Sequence, residues 1–250
     1  MRKDEVRDLK VVTHLRTSHA RVVDRLGLAI VGGQFAIGEP LPGDSELEAK
    51  LGVSRSVLRE AMKTLTAKGL VVAKSRVGTR VTERCHWNLI DEDVLRWHFK
   101  TGVTRDFIDH LYDVRLVFEP ASAAQAALRA TPEDCAALRH YANLLGSDDL
   151  DWQSQVEADL RFHVLLTLTG ANPFLESMIG FLKASLDGAF TMAFDPKLAG
   201  RGEAITETHL AIVDAIEKHD AQAARAATER VIELGRITVL KAVDASTDRP

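Results

Sequence analysis

Between Val22 and Val81 the chain is punctuated so closely that very few small architectures can accommodate it. Val22, Val23, Leu26, Ala29 and Ile30 mark one face of a helix that must stop at Gly32-Gly33, a pair suited to a carboxyl cap. Gly38-Glu39-Pro40-Leu41-Pro42-Gly43 cannot be helical, and a short helix from Asp44 to Leu51 follows with Leu47 and Leu51 inward. Gly52-Val53 breaks that helix, and Ser54 is placed to cap a third running to about Lys68 and closed by Gly69. Helix, tight turn and capped helix make a helix-turn-helix. Leu70-Val71-Val72-Ala73-Lys74 and Thr79-Arg80-Val81-Thr82, either side of Ser75-Arg76-Val77-Gly78, then read as a β-hairpin with a basic tip, which completes a winged helix.

Charge divides the chain at the same place. Net charge is -4 overall, but residues 1–84 carry +6 and residues 85–250 carry -10. A basic third joined to an acidic remainder suggests that one part meets a polyanion and the other does something else. With 46% hydrophobic residues among 250 there is material for real cores, and this length suits two domains. No stretch reaches the ~18 apolar residues of a membrane span, and MRKDEVRDLKVVTH carries Asp4, Glu5 and Asp8 where a secretory signal would be apolar. Cys85 and Cys135 have neither metal-type nor framework spacing, so the cytosol is the expected compartment.

The expected fold is mainly α. It comprises a tail over 1–19, a winged helix-turn-helix over 20–84, a connector over 85–103, an all-α helical bundle over 104–245 and a tail over 246–250. About six helices are expected in the bundle, broken at Thr131-Pro132, Gly146-Ser147-Asp148-Asp149, Asn172-Pro173, Asp195-Pro196 and His219-Asp220. A bundle of that size can enclose a ligand between its helices.

The chain resembles the GntR-type bacterial transcription regulators. The match is carried by Gly38-x-x-Leu41-Pro42, Glu46-Leu47, Leu51-Gly52-Val53-Ser54-Arg55-x-x-x-Arg59-Glu60-Ala61, Leu65, Gly69-Leu70 and Gly78-Thr79-x-Val81. The later helices are similar to the ligand-binding domain of the fatty-acid-regulator (FCD) branch, through Val114-Arg115-x-x-x-Glu119-Pro120-x-x-Ala123, Asp159-x-x-Phe162-His163 and His209-x-x-Ile212-x-x-Ala215-Ile216. Within that branch, the Trp87–Trp97 connector is similar to that of the galactonate-operon repressor type. The resemblance implies a homodimeric DNA-binding repressor of sugar-acid or small-carboxylate genes, released from a palindromic double-stranded operator by its effector.

Arg55 and Arg59 lie four apart, on one face of the capped helix, where a guanidinium can grip guanine or phosphate, although a solvated surface arginine would look the same. Ser54 and Ser56 can reach phosphate from the helix amino terminus; Lys74, Arg76, Thr79 and Arg80 place the wing beside the duplex. Where the family often carries a capping hydroxyl and then an arginine, this chain has Gly43 and Ser45.

Asp159 and His163 also share one helical face, and His209 lies on a helix whose apolar face includes Ile212, Val213 and Ile216. An Asp-x-x-x-His pair is usually an exposed pair or a hydrogen-bonded core histidine; the resemblance instead implies that the three converge on a divalent metal. Two imidazoles and a carboxylate suit zinc, and manganese, nickel or iron can use the same donors. The family's fourth ligand is a histidine, and the matching position here is Val231. Three ligands leave open positions for water or for a hydroxy-carboxylate effector. Arg115, among apolar neighbours, needs either an effector carboxylate or an internal partner such as Glu119, and Asn172 either lines the pocket or merely ends a helix. Two rival readings are a metal-dependent hydrolase or lyase using Asp159, His163 and His209, and an acidic domain that only dimerises.

Overall fold

The computed structural model describes residues 17–74, 77–147, 149–193 and 202–247. The chain divides between Gly102 and Val103 into two compact units.

The first unit holds α1 (Ser18–Val31), α2 (Asp44–Leu51), α3 (Arg55–Ala67), β1 (Val71–Lys74), β2 (Gly78–Val81), a 3-10 turn (Arg84–His86) and α4 (Glu92–Thr101). The punctuating glycines act as expected: Gly33, Gly52 and Gly69 all adopt positive φ just after a helix. At Gly69 the side chain is also excluded by space, because a Cβ would fall 1.9 Å from the His86 carbonyl oxygen. Leu47, Leu58, Ala61 and Leu65 pack with Val22, Leu26 and Ile30 into one core. The hairpin is antiparallel, with Val71 opposite Val81 and Lys74 opposite Gly78. The 38–41 turn is laced to its β2 edge: Leu41 N donates to Thr79 O at 2.8 Å and Gly38 N to Val81 O at 2.9 Å.

The stretch expected to be a connector does more than join. Trp87, Val94 and Trp97 belong to the core of the first unit, so α4 is part of that unit's interior. Asp91 caps α4, accepting from Asp93 N and Val94 N, and Lys68 reaches across to Asp91 at 2.7 Å and Asp93 at 2.9 Å. The fully buried Trp97 ring lies against Gly27, where a Cβ would come within 2.4 Å of it, and its Nε1 donates to Asp24 at 2.8 Å. Trp97→Ala should therefore destabilise this unit by about 3–5 kcal/mol, as an emptied aromatic site usually does. Urea unfolding followed by circular dichroism measures it, and a loss inside about 0.5 kcal/mol, the range of surface changes, would show that α4 is only draped on the unit.

The second unit is helical throughout its described residues: α5 (Arg105–Arg129), α6 (Pro132–Leu144), α7 (Trp152–Thr169), α8 (Pro173–Glu176), α9 (Ile179–Ala193), α10 (Gly202–Glu217) and α11 (Ala221–Thr247). Thr131 opens α6 with a reciprocal capping box to Asp134. From Phe162 to Gly170 every residue of the α7 end is buried, which makes α7 the central helix, wrapped by its neighbours. Helix α5 packs along α11 and against α7 and α10, so the inward faces of α5, α7 and α10 meet. Among the described residues no helix is long and apolar enough to cross a membrane.

Candidate functional site

Two surfaces carry chemistry, one in each unit. On the first, Arg55 and Arg59 are exposed on the opening turns of α3, and the neighbouring Glu60 is engaged by Lys63 at 2.8 Å. Ser54 stands at the amino cap of α3 with extended geometry, but its hydroxyl does not cap the helix as expected. It lies 3.0 Å from the Ser56 hydroxyl, and both are exposed. The first amides of α3 thus keep their capacity for an anion from outside. Gly43 likewise gives α2 no side-chain cap. Lys74 is exposed at the end of β1. Thr79 and Arg80 are half-buried, and the Arg80 guanidinium donates to the Gly38 carbonyl, which ties the turn to the wing. Arg76 lies outside the described residues.

In the second unit α7 and α10 bring Asp159, His163 and His209 together, all buried, with one donor atom from each within 4.8 Å of the others. Asp159 Oδ1 is 3.2 Å from His209 Nε2, and Oδ2 is 3.8 Å from His163 Nε2. The His209 Nδ1 lies 2.8 Å from the Ile205 carbonyl, which can only accept, so Nδ1 carries a proton, and in the neutral ring Nε2 presents a lone pair. That buried Nε2 has no hydrogen-bond partner and points at a carboxylate oxygen, an acceptor facing an acceptor. A cation between them removes the conflict, and imidazole nitrogen with carboxylate oxygen is a donor set that divalent metals accept. These residues therefore fit a metal ion.

Helix α5 adds a second layer. Glu119 Oε2 lies 2.8 Å from His163 Nδ1, and Glu119 Oε1 accepts from Arg115 Nε at 2.7 Å. The Arg115 guanidinium also stacks 4.8 Å from the Tyr112 ring centre. Burial works to raise the Glu119 carboxyl, but Arg115 and His163 outweigh it and hold the group down at about 2. Burial likewise lowers His163, yet the Asp159 and Glu119 carboxylates win and raise it.

A model of the bacterial regulatory proteins of the gntR family matches residues 18–81, and one of the FCD domain matches residues 110–234. The galactonate operon transcriptional repressor of Escherichia coli K12 is 32% identical over 212 residues, 85% of this chain and 92% of that protein. The uncharacterized HTH-type transcriptional regulator YieP of the same organism is also 32% identical, over 84% of this chain and 90% of its own length. The chain belongs to the GntR family, with an FCD domain as its second unit. The fold agrees: the Listeria monocytogenes Lar structure superimposes with a TM-score of 0.63 over 92% of this chain and 99% of its own, at 20% identity.

A GntR protein of this composition is a DNA-binding transcription regulator, and its relatives are regulators too, so the hydrolase or lyase alternative falls. Within the FCD unit the expected trio of Asp159, His163 and His209 is brought together. Val231 is half-buried on α11 and packs against the same core as Phe162 and Ile212. Arg115 Nε meets the internal partner weighed for it, Glu119 one turn on, at 2.7 Å. The Asn172 side chain accepts from Phe174 N at 3.0 Å and caps α8. A surface cavity of about 460 Å³ on α6, lined by Glu133, Ala136, Ala137, His140 and Tyr141, shares no residue with the cluster. Glu119 and Tyr112 were missed as site residues. The Arg115-to-Glu119 spacing shows in the sequence as an ion pair on one helix, but nothing in it signals that the other carboxylate oxygen reaches α7.

Proposed function

We propose that this GntR regulator is a homodimeric repressor whose winged helices bind a palindromic operator and whose FCD unit holds a divalent metal, zinc by preference, as the receptor for a small carboxylate effector. The observation that carries the reading is the buried His209 Nε2, the acceptor nitrogen of a neutral ring whose Nδ1–H donates to the Ile205 carbonyl, aimed at Asp159. Arg55 and Arg59 read base edges from α3, while Ser54, Ser56, Lys74, Thr79 and the wing residues Arg76 and Arg80 engage backbone phosphate.

Charge supports an anionic effector. With neutral imidazoles, Asp159, Glu119 and Arg115 sum to one negative charge, and a divalent ion turns this into one positive charge in a buried site. A carboxylate then completes neutrality, and a neighbouring hydroxyl lets it chelate, as a sugar acid can. The relative named for the galactonate operon is consistent with that class. Bound metal supplies Lewis-acid attraction for the carboxylate, and the chain's part is to orient the ligands and keep water out. A second copy is supported by α5, where Val114, Val117, Ala121, Ala124 and Leu128 form a heptad-spaced stripe with Val117 and Leu128 the most exposed.

The test is a pull-down of genomic DNA with the purified protein, followed by release of the recovered operator with carboxylates drawn from the neighbouring genes' chemistry. Release by a hydroxy acid only when metal is present supports the reading. Equal release from chelator-treated protein rejects the metal's part in it. Val231→His supplies a fourth imidazole and should tighten zinc binding by about tenfold, about 1.4 kcal/mol, while operator release becomes harder because a coordination position is taken. Zinc titration and operator release are read separately. Release unchanged alongside tighter zinc would place the effector elsewhere in the bundle.

A further inference from the structure

Both imidazoles of the cluster have their second nitrogen held, one by backbone and one by a side chain from another helix. Ile205 holds His209 from its own helix, one turn away. His163 has no such carbonyl: its Nδ1 lies 2.8 Å from Glu119 Oε2, an ion-pair contact short of an aligned hydrogen bond, and these two buried atoms have no hydrogen-bond partner. Glu119 is 1% exposed, so without a cation its charge would be prohibitive, and Arg115, 3% exposed, supplies it at 2.7 Å. An arginine and a glutamate serving packing alone need no third member. Here the pair divides the carboxylate between Arg115 on Oε1 and a metal-ligand candidate on Oε2.

Resting on the metal-holding reading above, we propose that Glu119 is a positioning residue of that site and Arg115 the lock on Glu119. Glu119 accepts from the Nδ1–H of His163, which keeps the ring's proton there and the lone pair on Nε2, the nitrogen turned towards Asp159, and its negative charge makes that nitrogen a stronger donor. Arg115 prevents the carboxylate from turning away. Arg115 therefore acts on the effector through the metal, and its loss lowers metal affinity as well as response.

The experiment uses the full chain and zinc alone. Zinc is titrated against a chromophoric chelator, well below the melting temperature, for wild type, Asp159→Ala, Glu119→Gln, Arg115→Lys and the double variant Arg115→Met with Glu119→Leu. The double variant replaces the buried pair by apolar side chains of similar size and so keeps the fold where Glu119→Gln alone leaves a buried guanidinium charge uncompensated. Glu119→Gln and the double variant should each lose about 10–100-fold in zinc affinity, with Arg115→Lys between them and wild type. Cobalt(II) in place of zinc should show a shifted visible band in the double variant, which a merely structural role would not produce. Zinc binding that is lost in Asp159→Ala but equal to wild type in Glu119→Gln and the double variant overturns the role of Glu119 and leaves the metal site standing. A wild-type protein that binds no zinc, manganese, nickel or iron overturns the metal reading itself, and this proposal with it.

Discussion

Changing Arg55 and Arg59 together to alanine should abolish sequence-specific operator binding while leaving the fold unchanged. Both side chains are exposed on the first turns of α3 and contribute nothing to the core formed by Leu58, Ala61 and Leu65, so their removal leaves the unit's stability within the range of surface substitutions. A bidentate arginine is worth about 1–3 kcal/mol of discrimination, so the pair should cost about 2–6 kcal/mol per half-site if both read bases. That corresponds to roughly 30-fold to 10⁴-fold in affinity. Lys74→Ala should behave differently. Lys74 is an exposed cation beside the hairpin turn, assigned to phosphate in the proposed reading, so its loss should weaken binding to specific and non-specific DNA alike and flatten the dependence on salt. Band-shift titrations at several salt concentrations, on operator and on scrambled duplex, separate the two patterns. Wild-type operator affinity in the double alanine variant would remove α3 as the reading helix.

His209→Ala or His163→Ala should empty the FCD unit of metal and lower its melting temperature. Metal bound only by the folded state stabilises it by about 2.7 kcal/mol at a hundredfold excess over Kd and about 4.1 kcal/mol at a thousandfold. For a unit of this size each kcal/mol moves the melting temperature by about 2–4 °C, so a drop of about 5–16 °C is expected. The control is chelator-treated wild type, which should melt close to the variants in the same chelator. Because the imidazoles must be deprotonated to bind, the stabilisation by added zinc should also fade in acid. Elemental analysis and calorimetry read both effects. Protein that carries no metal above buffer level, and whose melting temperature ignores added zinc, manganese and nickel, would leave Asp159, His163 and His209 as a buried polar cluster and nothing more.

What the sequence determined by itself was local. Gly33, Gly52 and Gly69 each follow the end of a helix because a residue without a Cβ takes positive φ cheaply, and their spacing admits a helix-turn-helix before any packing is considered. The same holds for residues four apart on a helix: Arg55 with Arg59, Asp159 with His163, and Arg115 with Glu119 share a face by geometry alone. Tertiary structure decided which faces meet. The Glu119 carboxylate touches His163 because α5 and α7 pack in one register, and a helix's own periodicity carries no information about its neighbour's register. Trp97 shows the same limit, since its indole binds Asp24 and Gly27 from seventy residues away and makes a presumed connector part of a core. Arg80 reads as one more charge on a basic wing, and only the folded turn supplies the Gly38 carbonyl that claims it. Spacing along the chain fixes what a side chain can share a surface with, and burial across helices fixes what that side chain must bind.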